Sequence, residues 1–306
     1  MAISAKDVME LRKQTDCGMM ECKKALTEAD GNFEKAIEIL RERGLATAAK
    51  KAGRIAAEGM VYADYCPECK VGVVIEVNAE TDFVAKNDKF VDFVKKATKV
   101  IMEQNPADVE TLMNCKMGDE TVDQALKELI LVIKENIKVR RFTRYEGVCS
   151  AYVHGGGTHG ILVNFETTND IDTKDEFVAY GKDIAMQVAA ANPSYVDEAS
   201  VPAEVVAKEK EIMLVQMAGD PKTANKPEAV KQKMIEGKIK KFFKENCLVD
   251  QEFVKDSDLT VAQYTAKVAR DLGGDIKIVK FARFQKGEGL EKRADDFASE
   301  VASMVK

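Results

Sequence analysis

The sequence predicts an α+β fold, and three observations lead there. Three short helical patterns fill the first 45 residues, the apolar period changes to that of strands from Gly59, and a strand–turn–helix unit occurs twice in the middle of the chain. The organisation expected is a small N-terminal three-helix domain (1–45), a linker helix (46–58), a first core subdomain (59–147), and a second (148–286) with a projecting antiparallel helical hairpin (203–246). A C-terminal helix module (287–306) follows.

Composition narrows the function. Of 306 residues, 45% are hydrophobic and 32% are charged with mixed sign, so sizeable cores are expected rather than disorder. Net charge is −6 with no notable Lys/Arg block, which argues against direct nucleic-acid binding, since phosphate neutralisation needs a basic face. No apolar run approaches the roughly 18 residues that span a bilayer, so no membrane partner is expected. Met1–Lys6 leads straight into a helical pattern, and no signal peptide is expected. Seven cysteines, an odd number and mostly scattered, suggest a reduced, cytoplasmic protein.

Taken in order, Ser4-Ala5-Lys6-Asp7 has capping-box spacing with Asp in place of Glu, and opens a helix striped by Val8 and Leu11. Gly18 breaks it, and Met19 to Leu26 resume. Asp30-Gly31-Asn32 is a turn, and Phe33, Ala36, Ile37 and Leu40 mark a third helix that Gly44 is expected to end. The arrangement resembles a ubiquitin-associated-type domain. Adjacent Met19 and Met20 cannot share one helix face, so one of them should be exposed, and an exposed Met is an adaptable contact. Ala46 to Ala57 reads as the linker helix.

Strand-like 61–65 and 71–77 flank Cys66-Pro67-Glu68-Cys69, which is either half a zinc ribbon or a plain Pro-containing hairpin turn; the turn is favoured, because no second C-x-x-C exists. The repeat begins at Gly72 and again at Gly160. Each copy reads Gly, apolar strand, acidic turn, then a helix ending at Asn105-Pro106 or Asn192-Pro193. The first copy is one residue longer at its turn and carries Thr81-Asp82-Phe83-Val84 there. Locally, Asp82 or Asp88 would cap the next helix and Phe83 would enter the core. A structural cap does not require the extra residue, so Phe83 is instead read as pointing outward from a stiff corner.

Thr121–Asn136 is helical and Ile137–Phe142 is a strand with two arginines. Both histidines lie in Tyr152–Gly160, a glycine-rich hairpin loop; it lacks the G-K-[ST] of a phosphate loop, and His154 is read as a surface contact. Ala203–Met217 and Lys226–Asn246 form the helical hairpin, whose role is structural or a homodimer contact. Val261–Leu272 is a helix, Ile276–Phe284 alternates as a strand, and Leu290–Val305 is a last helix. No G-x-S-x-G, P-loop, H-E-x-x-H or Cys–His pairing survives, so no enzyme activity and no cofactor are expected. A binding or regulatory protein is the expectation.

The motifs Gly18-Met19-Met20-Glu21-Cys22-Lys23-Lys24-Ala25-Leu26, Thr81-Asp82-Phe83-Val84-Ala85-Lys86, Glu135-Asn136-Ile137-Lys138-Val139-Arg140-Arg141, Tyr152-Val153-His154-Gly155 and Gly287-Glu288-Gly289-Leu290 run through essentially the whole chain. Together they resemble the translation elongation factor Ts family. Departures are the Cys66–Cys69 hairpin, the Gly156–His159 loop, a longer 219–228 turn, and Lys134 where the family commonly has glycine. The resemblance implies a guanine-nucleotide exchange factor that binds elongation factor Tu in GDP-bound and nucleotide-free states. It implies that Thr81, Asp82, Phe83 and Val84 disturb the partner's Mg²⁺ site, with Arg12, Met19, Met20 and His154 as further contacts and no metal bound. The alternatives are a zinc-dependent enzyme using Cys66, Cys69, His154 and His159, and a ubiquitin-like adaptor working through residues 1–45.

Overall fold

The computed structural model describes residues 3–15, 17–224 and 226–291 and bears out the α+β class. The helix expected over Leu290–Val305, and with it most of the 287–306 module, lies outside the described residues. Three helices, α1 (Ala5–Thr15), α2 (Met19–Glu28) and α3 (Phe33–Lys51), close over Leu11, Cys22, Leu26, Ala36 and Leu40. Ser4 and Asp7 exchange the expected capping bonds, and Asn32 caps α3 by accepting from the Lys35 N–H.

Gly44 does not end the third helix, and no separate linker helix spans 46–58. The helix α3 runs on to Lys51, and residues 52–57 lead by turns into the first strand. Gly44 is instead the point of closest approach to α6 (Val122–Ile133), where a Cβ would sit 3.4 Å from the Lys127 carbonyl oxygen. That crossing explains why α6 carries apolar residues toward two neighbours, leaving Asp123, Gln124, Lys127 and Glu128 on its polar side. Leu126, Leu129 and Ile130 face the first sheet's core, while Leu131 and Val132 face the N-terminal helices.

The strands β1 (Glu58–Cys66), β2 (Val71–Ala79) and β5 (Lys138–Glu146) make an antiparallel sheet in the order β1-β2-β5. Between β2 and β5 run α4 (Asp88–Gln104), α5 (Val109–Asn114), a small hairpin of β3 (Lys116–Met117) and β4 (Glu120–Thr121), and then α6. A second sheet repeats the plan with β6 (Val148–His154), β7 (His159–Thr167), α7 (Asp175–Ala191), the hairpin of β8 (Glu252–Phe253) and β9 (Asp256–Thr260), α11 (Val261–Leu272) and β10 (Ile276–Gln285), in the order β10-β7-β6. The helices α8 (Ala203–Gly219), α9 (Pro221–Ala224) and α10 (Glu228–Asn246) are inserted between α7 and β8.

The duplication therefore extends well past the strand–turn–helix unit seen in the sequence. The cap Asn105 at φ 47°, ψ 54° matches Asn192 at 46°, 54°. Thr121 forms a capping box with Gln124, as Thr260 does with Gln263. Both copies carry a bulge in the last strand pairing.

The two sheets pack face to face through Val61, Ala63, Val74, Cys149 and Leu162. The glycines that open each repeat permit this. A Cβ on Gly72 would meet Leu162 Cδ1 at 2.6 Å, and one on Gly160 would meet Val61 Cγ1 at 2.4 Å. With α4 on its other face, every residue of β2 is buried.

Cys66 and Cys69 are joined as a disulfide at the tip between β1 and β2. The physical reason is the hairpin itself, which sets their Cα atoms 5.6 Å apart, within disulfide range.

Candidate functional site

The turn after β2 is held at both ends. Glu80 Oε1 accepts the Asn136 N–H at 2.6 Å, and the Glu135 carboxylate accepts the Thr81 N–H at 2.9 Å and the Thr81 hydroxyl at 2.6 Å. Three residues on, Val84 is only 4% exposed and starts a 3-10 turn. Asn87, not Asp82 or Asp88, then caps α4 by accepting from the Lys89 N–H. Between these anchors Asp82 and Phe83 stand out, and the Phe83 ring is 78% exposed. A large ring left this bare on a fixed backbone is the informative case, since an apolar side chain of that size usually finds cover.

Val84, expected among the contacts, is buried in the free chain. Its side chain lies in the first module's core with Val77 and Phe90, so it seats the turn and offers no outward surface. The second copy shows what the turn looks like without the extra residue. There Ile171 is buried at the place of Val84, Asn169 and Asp170 take left-handed conformations, and the Asn169 amide donates to the Gly273 carbonyl at 2.8 Å. That turn folds back on its own module and presents no aromatic ring.

A second surface lies on α1 and α2. Met19 and Met20 are both exposed, where one was expected, because the buried stripe of α2 is Cys22, Ala25 and Leu26. Arg12 is exposed and shares a shallow groove with Met9, Met19 and Lys13. Met9 is exposed beside them. In the sequence it is an apolar residue beside the Val8–Leu11 stripe, and the structure turns it outward.

Two consecutive residues join the surfaces. Lys134 Nζ lies 3.1 Å from Glu21 Oε1 on α2, just after Met19–Met20, and its carbonyl accepts from Lys51 Nζ on α3. The next residue, Glu135, holds Thr81. The methionine surface and the Phe83 turn thus share one mount at the end of α6. Glu135 lies 54 positions from Thr81, and nothing in the local pattern marks it.

His154 is exposed at the tip between β6 and β7, with Nδ1 2.9 Å from the Tyr152 hydroxyl. The Val61 N–H donates to the Gly157 carbonyl at 2.8 Å, and Glu58 of the same strand pairs with Ala79 at the end of β2. His154 therefore stands at the same end of the paired sheets as Phe83. Cys66 and Cys69 sit at the far end of β1, about 17 Å further along at ~3.3 Å per residue. The four residues of the zinc alternative are not brought together. Among the described residues, no group of three or more His, Cys, Asp and Glu could hold a metal ion.

At this end a buried carboxylate also escaped the sequence reading. Glu76 is fully buried and accepts from Arg140 Nη1 at 3.0 Å, Arg141 Nε at 2.7 Å, the Asn78 amide at 3.1 Å and the Gly287 N–H at 2.8 Å. The bulge makes this convergence. Glu76 pairs with Arg141 and Val77 with Val139, so Arg140 is the extra residue and both guanidiniums reach one carboxylate. Burial pushes the Glu76 carboxyl up, but the Gly287 N–H, the Asn78 amide and the two guanidiniums outweigh it and hold it below its ordinary value. Arg140 and Arg141 also hold the carbonyls of Glu288 and Gln285, clamping residues 285–288 across both modules.

The described fold can be set beside known proteins. A family model described as Elongation factor TS matches residues 80–288. The chain is 46% identical over 306 residues to an elongation factor Ts of Clostridium perfringens, covering 99% of each. It is 47% identical over 311 residues to that of Syntrophotalea carbinolica, covering all of both chains. With the elongation factor Ts of Clostridium novyi it shares 48% over 305 residues, covering 98% of this chain and 97% of the relative. On family match and on full-length identity alike, this chain belongs to the elongation factor Ts family of translation factors.

Proposed function

We propose that this protein binds elongation factor Tu, GDP-bound and nucleotide-free, and speeds GDP release by disturbing its Mg²⁺ and phosphate site, so that GTP can follow. It acts in the cytoplasm, by binding rather than by making or breaking bonds. The observation that carries the reading is the bare Phe83 ring on a turn pinned through Glu80, Thr81 and Val84. A fixed wedge does not lose its insertion energy to ordering on binding. Mg²⁺ ties the nucleotide phosphates to protein oxygens, so a ring and a carboxylate pushed against that site weaken nucleotide binding. By linkage, nucleotide weakens factor binding equally.

Burying one ring supplies about 1.5–3 kcal/mol. That is one to two decades of affinity at ~1.4 kcal/mol per decade. The wedge therefore needs the other surfaces, and we assign these to Arg12, Met19, Met20 and His154, all exposed. The test is release of a fluorescent GDP analogue from elongation factor Tu with excess unlabelled GDP. Release should accelerate with the concentration of this protein and saturate. A rate independent of its concentration would refute the reading.

A further inference from the structure

We propose that Cys66 and Cys69 form a reversible thiol–disulfide site whose co-substrates are small thiols and disulfides of the glutathione class. Nothing in the exchange of nucleotide requires it, and it lies at the opposite end of β1 from the Phe83 turn.

Four observations carry this. The two cysteines are already joined, with Cα atoms 5.6 Å apart, inside the 4.4–6.8 Å range that a disulfide needs. The backbone that frames them is fixed from outside the pair. Cys66 is in register with Val71 across β1 and β2, the Lys70 carbonyl accepts the Gly147 N–H at 2.8 Å, and Lys70 Nζ lies 3.3 Å from Asp172 Oδ2 on the second module. The tip therefore holds both sulfurs against each other on a backbone that its neighbours fix. It is also open to solvent, with Cys69, Pro67 and Glu68 exposed and Cys66 half-buried.

The remaining cysteines are placed for the opposite behaviour. Cys17, Cys22, Cys149 and Cys247 are buried, and only Cys115 is half-buried. Burial pushes the thiols of Cys17 and Cys149 up, and that of Cys247 to about 11, which suppresses the reactive thiolate. Among the described residues, thiol exchange is thus directed to one pair.

The step balances as follows. The thiolate of a small thiol attacks Cys69 Sγ, the more exposed sulfur, and the Cys66–Cys69 bond breaks. Cys66 leaves as a thiolate, 3.3 Å from the Cys69 N–H that can stabilise it, and then takes a proton. Glu68 Oε2, 3.6 Å from Cys66 Sγ, is placed to accept the S–H of that reduced form. A second small thiolate attacks the outer sulfur of the mixed disulfide and releases Cys69, which is protonated in turn. Two small thiols are oxidised to one small disulfide, and the protein disulfide gains two electrons and two protons. Oxidation runs the same steps in reverse.

The test uses the full chain equilibrated over a series of ratios of reduced to oxidised glutathione, acid-quenched, alkylated after denaturation and read by peptide mass. The 66–69 peptide should pass from unalkylated to doubly alkylated in one cooperative step as the ratio rises, with the other cysteines alkylated throughout. A Cys66→Ser variant should instead carry glutathione on Cys69 under oxidising conditions. Two free thiols at every ratio, or a peptide that stops at the mixed disulfide in the unaltered chain, would overturn the proposal. Neither result bears on nucleotide exchange.

Discussion

Thr81 shows how one side chain can fix the backbone that carries its neighbours. Its N–H and hydroxyl both end on Glu135, so the backbone arrives at Asp82 and Phe83 in one orientation. Thr81→Val keeps the shape and removes the hydroxyl bond to a charged acceptor, a contribution of about 1.5–3 kcal/mol when buried and less at this half-exposed position. GDP release promoted by the variant should slow several-fold while the exposed methionines of α1 and α2 are untouched. A stopped-flow rate equal to that of the unaltered protein would show that the turn does not need this anchor. At this scale the sequence was partly legible. The repeat exposed the extra residue at the turn, and with it the outward reading of Phe83. It could not separate Val84 from its neighbours, because burial of Val84 depends on the core of the first module, which only folding assembles around it. Glu135 and Glu76 were equally invisible, since each works through partners tens to hundreds of positions away.

Among the elements, α6 decides how the N-terminal helices are mounted. Gly44 allows α3 to touch it, and Gly44→Val would drive a branched side chain toward the Lys127 carbonyl. Overpacking of this kind costs about 1–3 kcal/mol. Limited proteolysis should then cut near residues 52–57 first, releasing α1–α3 while the sheets persist. A digestion pattern unchanged from the parent would contradict the crossing. At the other end of α6, Lys134 holds the left-handed cap conformation that Gly273 holds at the end of α11. A side chain there costs about 1–2 kcal/mol. Its ion pair with Glu21 joins an exposed lysine to a half-buried carboxylate and returns about 0–1 kcal/mol. Lys134→Gly should therefore raise the melting temperature, and a fall would mean that the Glu21 link outweighs the strain. The long helices were readable from period and caps, α11 residue for residue, while the short α5 and α9 were not. Where α3 ended was not, because a glycine that stops a helix and a glycine that lets another helix approach look the same in one dimension.

In the whole molecule, Glu76 ties the segment 285–288 to both sheets. Its carboxyl is held below the ordinary 4.5, so its stabilisation is present above that value and is lost as pH falls through the folded one. Melting temperatures followed downward from neutral pH should drop on this limb. Glu76→Gln should be less stable at pH 7 and lose less on acidification. Parallel curves for the two proteins would remove Glu76 from the acid response. The fold class and the duplication were legible because both are written in apolar period and punctuation. The full extent of the duplication was not, because the helical hairpin separates α7 from β8 and displaces the second copy's later elements.

The most direct measurement is stopped-flow release of GDP from elongation factor Tu by Phe83→Ala, taken beside its thermal unfolding. The expected outcome is a rate lowered by one to two decades at fixed concentration, from a ring burial of about 1.5–3 kcal/mol, with a melting temperature close to the parent's, because the ring is largely exposed and outside the core of its own module. A parental release rate, or a large fall in melting temperature, would contradict the account.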